Sequence, residues 1–256
     1  MHAKTILVTG AARRLGADIA RYFAARSFRV IVHARSASPR AIDVVESINR
    51  DGGHARLVVG DLTAEADRNR VLQEICDEAG ALDILVNNAS EFEYDFPGQG
   101  GLATLQKSLA IHVLAPFVLT EFFARRATSA RKLDVFNILD QRLLRINPDY
   151  YSYTVGKAGL HAITKCWQAA GAENVRVFGI LPGNMSPSGR QTEAEFEAAR
   201  AANLLGYAPT AADICDALLF FHSNPSLPGQ DLAIDAGEHL TDRARDPAFD
   251  PRFAPR

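Results

Sequence analysis

Cysteine is scarce in this chain. Cys76, Cys166 and Cys215 are three among 256 residues, and they stand far apart. An odd, scattered set builds neither a disulfide framework nor a zinc site, so a reducing cytoplasm is the simplest home. The seven histidines make no HExxH motif and no cluster with cysteine, and no metal is expected. An excess of charge of either sign is also missing. The 28 basic and 30 acidic residues leave a net −2, with no global pull toward nucleic acid or an anionic membrane. No apolar run approaches the roughly 18 residues of a membrane span, so no span is expected. Met1-His2-Ala3-Lys4 runs straight into Thr5-Ile6-Leu7-Val8, so no cleavable secretory leader is expected. There is no Pro/Ser-rich linker and no internal repeat. The 47% apolar and 23% charged composition excludes a wholly disordered chain.

The pattern alternates between short β-branched runs and longer helical stretches. Strands are expected at 4–9, 28–33, 55–60, 82–87, 133–139, 175–181 and 231–235. Helices are expected at 14–26, 40–50, 64–79, 101–126, 151–170 and 210–222. This spacing implies a parallel sheet covered on both faces, in one doubly wound α/β domain over residues 1–240. Continuous apolar runs such as Ile84-Leu85-Val86 suit buried parallel strands. Two segments break the rhythm. Gly183-Asn184-Met185-Ser186-Pro187-Ser188-Gly189 reads as loop, and Thr192 with Glu195 makes a capping box opening an Ala-rich helix. A small substrate lid is expected at about 184–206. The tail 241–256, with Pro247, Pro251 and Pro255, is no regular helix. It is either a frayed end or an arm docked on a neighbouring subunit.

The first strand ends in Thr9-Gly10-Ala11-Ala12-Arg13-Arg14-Leu15-Gly16 and a helix follows. Glycines at such a turn admit a pyrophosphate to the helix N-terminus. An ordinary βα turn also carries glycines; the position on the first strand and helix favours the cofactor. The second strand ends Val32-His33-Ala34-Arg35-Ser36, without the carboxylate that would hold the ribose 2′-OH of NAD. Arg35 and Ser36 suit a 2′-phosphate instead, with Arg13 and Arg14 adding charge nearby. After the third strand, Asp61 and Leu62 are placed to contact the adenine. An Asp61 that N-caps the following helix explains that residue equally well.

Tyr153 and Lys157 stand at i and i+4 on one helix face. With six tyrosines and five lysines in the chain, such a pair arises by chance about once in eight sequences of this length. An ammonium beside a phenol is expected to lower the phenol's pKa and make Tyr153 a proton donor near neutrality.

On these motifs the chain resembles the short-chain dehydrogenase/reductases over residues 4–240. The likeness rests on the glycine turn, Asn87-Asn88-Ala89, Tyr153-x-x-x-Lys157 and Pro182-Gly183. It implies a Rossmann domain with a seven-stranded parallel sheet, assembled as a homotetramer or dimer. It implies that Asn88 and Ala89 line the nicotinamide site and that Lys157 holds the nicotinamide ribose. Pro182, Gly183 and Met185 would wrap the carboxamide end. Most members have glycine at Arg14 and at Ser90, and serine at Asp140, thirteen residues before Tyr153. Arg14, Ser90, Phe92 and Asp140 together resemble the pteridine reductases, which implies NADP(H) as cofactor and a pterin-like substrate. Phe92 would stack on the pterin, and Arg14 and Ser90 would contact it or the cofactor phosphates. Loop packing for Phe92 and an exposed helix-start arginine are the plainer accounts.

A serine donates to a ketone oxygen, whereas an ionised Asp140 only accepts, which suits a heterocycle rich in N–H groups. A protonated Asp140 would still donate. His112 stands where the family usually has an asparagine supporting a water relay to the lysine. A histidine also holds a water or moves a proton, and a histidine satisfied in a helix interface fits as well. The expected activity is an NADPH-dependent reductase of a dihydropterin, with Asp140, Tyr153 and Lys157 catalytic. A generic carbonyl or 3-oxoacyl reductase and a non-catalytic NADP(H) sensor are the alternatives.

Overall fold

The β-branched runs form one sheet: β1 (Thr5–Val8), β2 (Arg29–Ala34), β3 (His54–Val59), β4 (Ile84–Asn87), β5 (Leu133–Ile138), β6 (Val175–Pro182) and β7 (Asp231–Ile234). A computed structural model describes residues 3–187 and 191–253. The strand order is β3-β2-β1-β4-β5-β6-β7, and every pairing is parallel. The helices are α1 (Arg14–Ala24), α2 (Pro39–Arg50), α3 (Glu65–Ala79), α4 (Leu102–Leu109), α5 (Ala115–Ala124), α6 (Tyr151–Ala170), α7 (Glu193–Ala201) and α8 (Ala211–Ser223).

Alternate strand residues feed opposite cores. Ile6 and Val8 pack with Leu15, Ile19 and Phe23 of α1, while Leu7 packs with Ile75 of α3 and Leu119 and Phe123 of α5. The i, i+4 spacing of those α1 residues builds the apolar stripe that faces the sheet. Full burial of each such side chain contributes about 1.5–3 kcal/mol.

The helix expected at 101–126 is interrupted. α4 and α5 are separated by a π turn over Ala110–Leu114. Pro116, near the start of α5, has no N–H, and its ring would clash with the carbonyl four residues back; the wide turn absorbs both. This run also bears on the expectation that no membrane span is present. Leu102–Ala124 is long and apolar enough to cross a bilayer by length and composition. Here Ala115, Leu119 and Phe123 are spent on the sheet core instead.

The capping box forms as expected, Thr192 and Glu195 bonding each other's backbone at the start of α7. Ser188 and Gly189 of the preceding loop, and residue 190 of the expected lid, lie outside the described residues, as does Pro255 of the tail. The described part of the tail, residues 241–253, is neither frayed nor reaching away. It forms 3₁₀ turns at Pro247–Phe249 and Pro251–Phe253 and docks on its own chain, Arg142 pairing with Asp246 and Arg245 with Asp149. Ion pairs hold what its proline content forbids a helix to hold.

Candidate active site

The strand order reverses between β1 and β4, which opens a crevice at the carboxyl ends of the strands. The candidates in the loops after the strands lie along that edge, while Tyr153 and Lys157 lie on α6. Gly10 follows β1, Arg35 and Ser36 follow β2, and Asp61 and Leu62 follow β3. Asn88, Ala89, Ser90 and Phe92 follow β4, Asp140 follows β5, and Pro182, Gly183 and Met185 close β6.

The glycine turn is cut to the backbone around it. Gly10 has φ +66, and a Cβ there would come 2.8 Å from the Ala89 Cα. At Gly16 a Cβ would meet the Asn88 Nδ2 at 2.5 Å and the Gly10 carbonyl at 2.7 Å. Thr9 Oγ1 accepts from the backbone N–H of both Asn88 and Ala89 at 2.9 Å, and Asn88 Nδ2 donates to the Thr9 carbonyl at 2.8 Å. The β1 and β4 turns are thus one unit. His33 adds β2 and β3: its Nδ1 accepts from Gly10 N–H at 3.3 Å and its Nε2 donates to the Gly60 carbonyl at 3.0 Å. Burial pushes the His33 pKa down to about 4, so it does this as a neutral ring. Sequence reasoning gave His33 and Thr9 no role, because nothing local marks a side chain that ties four turns together.

This cradle fits a dinucleotide phosphate. At the start of α1 the N-cap position is Arg13, with no side-chain cap and no acid in the first turn, so the amide dipoles face the cleft uncompensated. Arg13, Arg14, Arg35 and Ser36 are exposed on the rim. Arg14 also sits at φ +50, a left-handed conformation that costs a non-glycine residue roughly 1–2 kcal/mol. Leu15 is buried in the core and anchors the turn. Asp61 does not cap α3. Its Oδ1 accepts from Thr63 N–H at 2.9 Å and Thr63 Oγ1 at 2.7 Å, while Ala64 takes the cap position. Leu62 is buried beneath this turn. On the far side Gly183 N–H bonds the Ile234 carbonyl at 2.9 Å, and a Cβ at Gly183 would lie 2.8 Å from the Asp235 Cα. The Glu238 carboxylate holds the next residue by its backbone and side chain, at 2.9 and 2.8 Å from Asn184. Met185 packs against the core.

Tyr153 Oη donates to Asp140 Oδ2 at 2.7 Å, and Lys157 Nζ donates to the Ile138 carbonyl at 2.6 Å. The ammonium lies 5.6 Å from the Tyr153 ring centroid. The expected lowering of the Tyr153 pKa is not found. Burial first, then the Asp140 charge and hydrogen bond, hold the phenol well above its ordinary value, and the Arg142 guanidinium offsets this in part. Burial brings Lys157 down to about 8, against the raising effect of Asp140. Asp140 Oδ1 accepts from the Arg142 backbone N–H at 2.8 Å.

Phe92 is 40% exposed. Its ring stacks on Tyr150 at 3.8 Å and meets Tyr153 edge-on at 4.7 Å. Tyr94 and Phe249 of the tail extend this aromatic group behind it. Arg142 is the residue sequence reasoning missed most completely. Its guanidinium is 2% exposed and bonds Asp246 at 2.6 Å and the Asp149 carbonyl at 2.9 Å. No pattern links Arg142 to a partner 104 residues away.

The family described as short chain dehydrogenase matches residues 4–198. A dihydromonapterin reductase of Klebsiella pneumoniae is 26% identical over 239 residues, covering 93% of this chain and 97% of its own. The crystal structure of FolM alternative dihydrofolate reductase 1 from Brucella suis, in complex with NADP, superposes with a TM-score of 0.88 at 33% identity. That match covers 94% of this chain and 96% of the other. A 3beta-hydroxysteroid dehydrogenase 1 of Eggerthella lenta is 27% identical over 256 residues, covering 94% and 95%.

Proposed function

The chain belongs to the short-chain dehydrogenase family, and from that membership we propose that it is an NADPH-dependent reductase of a dihydropterin or related pteridine. The observation that carries this reading is Asp140 hydrogen-bonded to Tyr153 at 2.7 Å. A carboxylate there offers acceptors to the substrate, which match the N–H and NH₂ groups of a pterin rather than a ketone oxygen. The half-exposed Phe92 ring beside Tyr153 adds a face on which a flat heterocycle stacks. The NADP-bound Brucella structure and the Klebsiella dihydromonapterin reductase support the same cofactor and substrate class.

NADPH, when bound, supplies the hydride for the C=N carbon of the substrate. Gly10, Arg13, Arg14 and Gly16 hold its pyrophosphate, and Arg35 and Ser36 hold the 2′-phosphate. Asp61 and Leu62 meet the adenine. Asn88, Ala89, Pro182, Gly183 and Met185 surround the nicotinamide, and Lys157 binds its ribose. Tyr153 stays protonated at neutral pH and delivers that proton to the substrate nitrogen. Asp140 aims the hydroxyl, and Lys157 and Arg142 stabilise the phenolate left behind. Arg14, Ser90 and Phe92 position the ring. Residues 184–187 and 191–206 would lie over it as the lid.

The enzyme works in the cytoplasm, consistent with three unpaired cysteines, and as a homotetramer or dimer. The exposed Leu114 and Phe117 support assembly through the α4–α5 run.

The test is NADPH oxidation across dihydropterins, quinones and ketones. Turnover of a dihydropterin is the expected result. Turnover of ketones alone would make the chain a carbonyl reductase, and cofactor binding without any turnover would make it a sensor.

A further inference from the structure

His112 is fully buried in the π turn between α4 and α5, and both its ring nitrogens are engaged. Nδ1 lies 3.1 Å from Ser108 Oγ, and Nε2 lies 2.9 Å from Ser90 Oγ. Ser108 has a single hydroxyl proton. It goes to the Ser152 carbonyl at 2.7 Å, since a carbonyl only accepts. Ser108 therefore has only lone pairs to offer His112, and Nδ1 must carry the ring's proton. Burial and the neighbouring Lys157 charge keep the imidazole neutral. Nε2 is then a bare acceptor, and Ser90 must donate its own proton to it. Space for this chain is made by Gly156, where a Cβ would stand 2.3 Å from Ser108 Oγ and 2.9 Å from His112 Nδ1. With neither nitrogen left for a water, His112 does not serve the relay to Lys157 that an asparagine serves elsewhere.

Building on the pteridine reading, we propose that His112 is a positioning residue that locks Ser90 as a pure hydrogen-bond acceptor toward the substrate. The hydroxyl of an unconstrained serine donates or accepts as its ligand demands. Here the proton is committed inward, and the exposed side of Ser90 presents lone pairs alone. Ser90 and Asp140 then make the same demand from two strand ends, selecting a ligand that offers N–H groups and disfavouring one that offers a carbonyl oxygen.

Two measurements test this. The first is a ¹⁵N correlation spectrum of the ligand-free protein, which reads the tautomer of each histidine. His112 is expected with the proton on Nδ1; a proton on Nε2 overturns the proposal whatever the enzyme reduces. The second is a double-mutant cycle on KM. Loss of one neutral hydrogen bond is worth about 0.5–1.5 kcal/mol, so Ser90→Ala should raise the dihydropterin KM roughly 2–12-fold with little change in kcat. His112→Asn should do the same and raise relative ketone activity. The double variant should be no worse than Ser90→Ala alone. Additive losses, or an unmoved dihydropterin-to-ketone ratio, would reduce His112 to a packing residue. Absence of any dihydropterin turnover in wild type would instead sink the pteridine reading, with the spectrum still deciding the His112–Ser90 arrangement.

Discussion

Along the β1–β3 side of the cleft, Arg13, Arg14 and Arg35 stand exposed, and none enters an ion pair among the described residues. Along the β5–β7 side, Arg142, Arg243 and Arg245 are each committed, to Asp246, Glu238 and Asp149. The same residue type serves opposite ends. An uncommitted cation meets an anionic ligand without breaking anything, so the first side suits the binding role proposed for it. A buried pair gains little net stability over an apolar filling, yet removing one partner strands the other. The second side is therefore built to hold shape, and it holds Asp140, Tyr153 and the tail in one frame.

Tyr153→Phe tests the point where the two sides meet. It should lower kcat about 10²–10⁴-fold while NADPH affinity, set on the other side, stays near wild type. A variant turning over at nearly the native rate would remove Tyr153 from the chemistry. Arg142→Met sharpens the contrast in stability. It leaves the buried Asp246 without its counter-ion and should cost about 3–5 kcal/mol in denaturant unfolding. Arg35→Ala should leave stability within about 0.5 kcal/mol and weaken NADPH binding instead. A charge-assisted bond to phosphate contributes about 1.5–3 kcal/mol, so a loss of roughly 10–150-fold is expected, with NADH binding unchanged. Equal wild-type affinity for both cofactors would break that half of the comparison.

Asp140→Ser restores a donor on the substrate side. The ratio of dihydropterin to ketone efficiency should fall about tenfold, the low end of the worth of one charge-assisted bond. An unchanged ratio would return the enzyme to the generic carbonyl reductases. The smallest effect is on pH. In the proposed mechanism Lys157 acts as an ammonium, and burial has lowered its pKa to about 8. The free enzyme loses that charge as pH rises through this value, so kcat/KM should decline above about pH 8. A flat profile to higher pH would mean that Lys157 keeps its proton in the working enzyme.

Much of this molecule was legible in the sequence. The apolar periods of α1 and of β4 placed helix and strand, their alternation led to a parallel sheet covered on both faces, and the family resemblance implied its seven strands. Gly10, Gly16, Tyr153 and Lys157 were readable because a glycine turn and an i, i+4 pair are local patterns. The capping box at Thr192 and Glu195 was readable for the same reason. Tertiary structure alone decided the rest. The tail came back onto Arg142 and Asp149 through pairs about a hundred residues apart in sequence, which no period announces. The raised pKa of Tyr153 came from burial and from Asp140, not from the lysine one turn away. The Nδ1-protonated state of His112 follows from a serine four residues back and a carbonyl on another helix. Short-range patterns survive in a linear chain because backbone geometry repeats. Charge state and proton position do not, because they depend on which distant groups exclude water from the same few ångströms.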